Sequence, residues 1–289
     1  MRDDSIYARP AWYEMLFGRW TADLPFYRSL ASAAGGPILE CGVGTGRVAL
    51  ELARAGHRVH GVDAEPGMLA ELEARLRLEP GDVRTRVTFD RADVATMSLG
   101  RRFPLVLAPF NALGGQLTAE SLDGFLRGVR RHLDPGGRFA FDVWNPGPEL
   151  LAGFVGEGGR IPHPVTGLPT RCTERYAFDS AARVLTMEIT LTPPDDDLPP
   201  ESRRLRYRCL SAEEIERLLP AHGLRIVHRT RRFAPLDSSK GGRARGTRRR
   251  PTGFAPVGEK DGEVASDMAA YVCEAPVSPR PALDRGPRS

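Results

Sequence analysis

Between residues 37 and about 143, short apolar runs alternate with stretches in which apolar residues recur every three or four positions. Residues 37–41 predict a strand, Gly42, Gly44 and Gly46 a tight turn, and Val48, Leu52 and Ala53 a helix. Residues 57–63 predict a second strand ending in Asp63, and Met68, Leu69, Leu72 and Leu76 the helix after it. Val87 and Phe89 mark a third strand ending near 92–94, and residues 103–108 a fourth. Leu122, Phe125, Leu126, Val129 and Leu133 share one face of a helix beginning after Thr118. Residues 134–137 predict a turn and 138–144 a fifth strand. Strictly alternating strands and helices predict an α/β fold, with a parallel sheet covered on both faces.

The rhythm then changes. Leu185, Met187, Ile189 and Leu191 alternate with mostly polar residues, the pattern of a half-buried antiparallel strand, and residues 171–178 and 203–209 predict its partners. Ser211 and Glu214 are placed to cap a helix, and residues 224–233 and 268–273 predict two more strands. Residues 236–263 are rich in Gly, Arg, Ser and Pro without periodicity, which predicts a flexible loop, and the tail over 276–289 predicts disorder. The chain therefore divides into an N-terminal helical segment (1–36), a core (37–164), an antiparallel insertion (165–210) and the end of the core (211–275).

Composition changes this picture little. Hydrophobic residues make up 41% and charged residues 27% of the 289, which excludes a wholly disordered chain. The longest apolar runs fall short of a membrane span, and the start MRDDSIYARP lacks an apolar signal core, so a cytoplasmic protein is expected. Four dispersed cysteines argue against a zinc site or a disulfide framework, and no metal is expected. The net charge of +4 is local: nine basic residues and one acid between Arg229 and Arg250 carry +8, leaving −4 for the rest. The arginine run 243–250 lacks interleaved aromatics for base stacking, and an acidic body repels a phosphate backbone, which disfavours nucleic acid. His163 sits in a Pro/Gly-rich stretch and is expected to be solvated.

The strand, glycine turn and helix over 38–53 carry the chemistry. Glycines let backbone approach a ligand, the helix start offers unpaired N–H groups, and an acid ending the next strand, Asp63, suits a ribose diol. A dinucleotide fingerprint would place Arg47 in the third glycine slot, where its bulk opposes close helix–strand packing. The G-x-G-x-G form fits S-adenosylmethionine instead.

The segments ILECGVGTGRVALELARAGHRVHGVDAEPGML, RADV, FPLVLAPFNAL and LDPGGRFAFDVWNP, in that order, resemble the class I S-adenosylmethionine-dependent methyltransferases. The likeness is greatest to the small-molecule branch related to sugar-amine and glycine N-methyltransferases, over roughly 7–235 and again over 266–275. It implies a Rossmann-like, doubly wound, seven-stranded mixed sheet of order 3-2-1-4-5-7-6, with the antiparallel insertion roofing the substrate. It implies that Glu40, Gly42 and Gly44 line the methionine moiety and Asp63 the ribose. Ala64 and Met68 then pack on adenine, Asp93 and Val94 bond its edge, and Phe110 closes the cleft. Asn111 falls near the transferring methyl, with Asp142 and Tyr13 as candidate bases and Tyr7, Tyr13, Trp20 and Tyr27 as lid aromatics. Relatives often carry a histidine base a few residues after this Asn; here the stretch reads Gly114-Gly115-Gln116. The acceptor is expected to be a small molecule methylated on nitrogen or oxygen, with no membrane partner and a homodimer left open. An RNA methyltransferase using the arginine run and an NAD(P)-dependent oxidoreductase stand as alternatives.

Overall fold

A computed structural model describes residues 4–194, 198–231, 233 and 268–277. A short 3-10 helix (Ile6–Ala8) leads into α1 (Pro10–Phe17) and α2 (Leu24–Ala34). The core follows as β1 (Ile38–Cys41), α3 (Arg47–Arg54), β2 (Val59–Asp63), α4 (Pro66–Leu78), α5 (Gly81–Arg84), β3 (Val87–Arg91), β4 (Phe103–Ala108), α6 (Ala119–His132) and β5 (Leu133–Trp144). Then come α7 (Pro148–Leu151), β6 (Val155–Pro162), β7 (Pro169–Asp179), β8 (Val184–Thr192), β9 (Glu201–Arg208), α8 (Ala212–Ala221), β10 (Arg225–Arg231) and β11 (Met268–Glu274).

The main sheet runs β10-β11-β5-β4-β1-β2-β3. β1 to β5 pair in parallel, whereas β11 is antiparallel to both β5 and β10. With the four insertion strands left out of the count, this is the expected 3-2-1-4-5-7-6. Burial follows the strand alternation. Ile38, Leu105 and Leu107 face a core shared with α1 to α4, while Leu39, Val106 and Phe139 face one shared with α6 and α8. The central strands read as continuous apolar runs because both faces are covered. Helix starts follow local chemistry. Thr118 caps α6 by accepting Ser121 N–H, and Ser211 caps α8 by accepting Glu214 N–H at 3.2 Å. The Glu214 side chain turns instead to Arg208, at 3.2 Å.

The second sheet, β6-β7-β8-β9, is antiparallel throughout. Its β8 buries Leu185, Met187, Ile189 and Leu191, as the alternation predicts. The sheet begins at Val155, ten residues before the expected insertion, because β6 is glycine-interrupted and shows no alternation. The expected 134–137 turn is also absorbed into β5, with the ladder to β4 shifting register between Phe103 and Leu105. The inner face of the second sheet rests on the N-terminal segment: Arg203 lies 5.4 Å over the Trp12 ring, and Arg204 N–H donates to Asp4 C=O at 2.7 Å. His163 is buried rather than solvated. Its Nδ1 accepts the N–H groups of Val165 (3.3 Å) and Thr166 (3.2 Å), and its ring meets Trp12 edge-on, so a tight turn encloses it.

The loop expected over 236–263, with its arginine run, lies outside the described residues, as does the tail from 278. Among the described residues, no helix is long and apolar enough to cross a membrane.

Candidate functional site

After β1 the chain turns through Gly42, Gly44 and Gly46, with φ of 74°, 54° and 86°, a region where a side chain is strained. At Gly46 a Cβ would also collide with Leu72. The turn is bound to β2: Gly42 and Val43 N–H both donate to Val62 C=O, at 2.8 and 3.0 Å. Asp63 then fastens it. Its Oδ2 accepts Gly44 N–H at 2.8 Å and its Oδ1 accepts Glu65 N–H at 2.9 Å. Burial raises the Asp63 pKa, and these backbone bonds pull it back toward ionisation.

A cleft of about 420 Å³ opens beside this turn, at the carboxyl edge of the sheet. Gly42, Gly44, Asp63, Ala64, Met68, Asp93, Val94, Phe110 and Tyr13 all line it. Asp93 Oδ1 accepts Ala95 N–H at 2.9 Å, which fixes the carboxylate at the cleft wall. Thr118 and Ser121, at the start of α6, also line the cleft and had no sequence signal beyond helix capping. Gln116 lines it as well.

The N-terminal segment closes one side. Tyr7 and Tyr13 line the cleft with ring centroids 6.0 Å apart. Glu14 on α1 bonds Thr45 in the glycine turn and pairs with Arg75 on α4. Asp23 holds Arg47 through two bonds of 2.6 Å, and Arg47 also donates to Trp20 C=O at 3.1 Å. The guanidinium sits 5.3 Å from the Phe110 centroid. The bulk that makes Arg47 unsuited to a dinucleotide fingerprint thus anchors the N-terminal segment to α3.

Five expectations meet a different setting in the structure. Glu40, Asn111 and Asp142 are not among the walls of the cleft. Asp142 is fully buried; its Oδ2 accepts the Tyr27 hydroxyl (2.6 Å) and Phe110 N–H (2.7 Å), and its Oδ1 accepts Asn111 N–H (2.8 Å). Burial, then Asp23, pushes its pKa up to about 7, but its oxygens are taken up by Tyr27 and the wall loop and do not line the cleft. Tyr13 does line the cleft, yet burial raises its pKa far above the ordinary phenol value, so it can donate a hydrogen bond but not take a proton. Tyr27 lies in the core against Asp142, not over the cleft. Asn111 is buried, with Oδ1 accepting Trp144 N–H at 3.3 Å, and borders a void of about 10 Å³ with Phe110, Trp144, Tyr207 and Met268. Tyr207 is the insertion's residue at that void, and the main cleft is lined by no residue of the second sheet among those described.

Glu40 is the outlier in this polar inventory. Its Oε2 is buried without a hydrogen-bond partner, and burial pushes its pKa up to about 8 even though Arg47 opposes the rise. A buried carboxylate left this way is relieved by an added cation.

Comparison with known proteins agrees with the geometry. Residues 38–137 match the methyltransferase domain family Methyltransf_25. A cypemycin N-terminal methyltransferase from Streptomyces sp is 36% identical over 138 residues, 45% of this chain and 50% of that protein. The match thus spans about half the length of that relative. A dTDP-3-amino-3,6-dideoxy-alpha-D-glucopyranose N,N-dimethyltransferase from Streptomyces fradiae is 26% identical over 216 residues, covering 73% of this chain and 78% of that one. Among solved structures, the CcbJ methyltransferase from Streptomyces caelestis superposes with a TM-score of 0.66 at 24% identity, covering 88% of this chain and 95% of that one.

Proposed function

We propose a function from one premise: the chain belongs to the class I S-adenosylmethionine-dependent methyltransferases. It transfers the sulfonium methyl of S-adenosylmethionine to an amine nitrogen of a small molecule. The observation that carries this reading is the left-handed glycine turn fastened to Asp63 beside a cleft of cofactor size.

The residues present suit the cofactor end to end. Each Asp63 oxygen keeps a lone pair beyond its backbone bond, which suits the two ribose hydroxyls. Ala64, Met68 and Val94 give an apolar slot for adenine, and the second Asp93 oxygen accepts from its amine. Glu40 is not itself a cleft wall, but it lies two residues before the wall residue Gly42, and its orphaned oxygen would answer the methionine ammonium. When bound, S-adenosylmethionine supplies a methyl already activated by its positive sulfur. The protein then has to exclude water and align the acceptor, and alignment is worth up to about 7–11 kcal/mol.

Nitrogen is favoured over oxygen by the state of the groups expected to act as bases, with Asp63 and Asp93 assigned to the cofactor. A hydroxyl acceptor needs a base in the transition state, whereas an amine arriving unprotonated does not. Gln116 cannot take a proton, Tyr13 stays protonated, and Asp142 is committed behind the wall. One relative is named an N,N-dimethyltransferase of an amino sugar nucleotide and the other an N-terminal methyltransferase.

Calorimetry with S-adenosylmethionine, its demethylated product, NAD and NADP tests the cofactor, with micromolar binding expected for the first two only. Labelled-methyl transfer to parallel panels of amines and alcohols tests the acceptor. Binding of NAD without S-adenosylmethionine would overturn the cofactor assignment, and transfer confined to alcohols would overturn the nitrogen assignment.

Glu40→Gln separates binding from stability. The folded-state pKa of Glu40 is raised, so its carboxyl contributes most stability at low pH and loses it as pH rises toward about 8. At pH 8 the variant should therefore melt higher than the parent by about 2–4 °C for each kcal/mol relieved. At pH 5 the two should melt alike, while S-adenosylmethionine affinity falls at neutral pH. A variant that melts lower at pH 8 would show that Glu40 is already compensated in the free protein.

A further inference from the structure

We propose that Tyr27 on α2 is a positioning residue for methyl transfer: acting through Asp142, it holds the backbone of Phe110 and Asn111 in the turn that walls the reaction site. The inference deepens the methyltransferase reading and rests on it.

Phe110 and Asn111 are consecutive non-glycine residues at φ of 55° and 59°. Each such residue costs about 1–2 kcal/mol, so the pair persists only where the surroundings over-determine it. Asp142 supplies that constraint, one oxygen to each N–H, at 2.7 and 2.8 Å. The Tyr27 hydroxyl, donating at 2.6 Å to the oxygen shared with Phe110, fixes the carboxylate's rotation. Its other charged neighbours are Asp23, which raises the Asp142 pKa, and Arg47.

The same helix grips Phe110 a second way. Asp23 stands at the N-cap position of α2, without a side-chain capping bond, and lies four residues before Tyr27, so the two share one face. Asp23 holds Arg47, and Arg47 covers the Phe110 ring. One helix thus controls the backbone of the wall residue through Asp142 and its ring through the first residue of α3, which follows the glycine turn. Phe110 borders both the main cleft and the small void beside Asn111 and Trp144. A shift in this turn therefore displaces the boundary between donor and acceptor.

The test follows the amide resonances of Phe110 and Asn111 by NMR in the full chain. In the parent both should titrate together with a midpoint near Asp142's pKa of about 7. In Tyr27→Phe the midpoint should rise, because the lost hydroxyl bond favoured the charged carboxylate. Hydrogen exchange at these two amides should quicken while β1 amides keep their protection. With an amine acceptor from the labelled-methyl panel, Tyr27→Phe should lower kcat about tenfold or more while the S-adenosylmethionine dissociation constant stays within about twofold. A general packing loss would lower the melting temperature without moving the titration midpoint, and that result would overturn the proposal. So would amides in the parent that do not titrate, a measurement that needs no variant to fold. Failure of the parent to bind S-adenosylmethionine would instead overturn the methyltransferase reading and leave the amide titration unaffected.

Discussion

Asp23→Ala should destabilise the fold by about 3–5 kcal/mol, the usual cost of breaking a buried ion pair from one side. Asp23 has a fully buried side chain and Arg47 exposes 10% of its own, so water cannot replace the lost carboxylate. Trp20 C=O and the Phe110 ring remain near the guanidinium, but neither carries a charge. The melting temperature should fall by about 2–4 °C per kcal/mol, and the N-terminal segment should become the first site of proteolysis. Asp23→Ala combined with Arg47→Met should recover much of the loss, since no charge is then stranded. A single-variant loss below about 1 kcal/mol would mean that the pair is solvated in solution and does not clamp the segment.

The contrast between Arg47 and Asp142 marks what could be read along the chain. The elements were legible because their signals are local: period-two and period-3.6 burial, and glycines at a turn that demands positive φ; their order in the sheet was implied only by the family resemblance. Asp63 was legible because it ends β2 and a strand's last residue must reach the carboxyl edge of the sheet, and Gly42 and Gly44 because their turn follows β1; Met68 and Asp93, which also line the cleft, were implied only by the resemblance. Position along a strand shows which edge a side chain reaches, not what it bonds. Asp142 is at the right edge, but its partners are 115 residues away at Tyr27 and 32 residues away at Phe110. Arg47 announced only a steric objection to one ligand, because Asp23 joins it from 24 residues upstream. β6 was missed because its glycines erase the alternation that exposed β8. His163 was misplaced because a polar, proline-rich stretch can still curl around its own imidazole.

Asp63→Ala should weaken S-adenosylmethionine binding by about 1.5–3 kcal/mol, the scale of hydrogen bonds to a charged group, or about ten- to hundredfold in the dissociation constant. Two losses add. The ribose hydroxyls lose an acceptor, and Gly44 N–H loses the bond that fastens the glycine turn. Asp63→Asn distinguishes them. Its amide keeps one oxygen, enough to accept from Gly44 N–H or Glu65 N–H but not from both along with the ribose. It should therefore fall between the parent and Ala. The pH dependence carries the same sign. Burial raises the Asp63 pKa, so binding should weaken on acidification at a higher pH than an ordinary aspartate would dictate. That acidic limb should vanish in both variants. A dissociation constant unchanged in Asp63→Ala would place the ribose elsewhere in the cleft. An unchanged acidic limb would assign the titration to another carboxyl, with Asp93 the next at the wall.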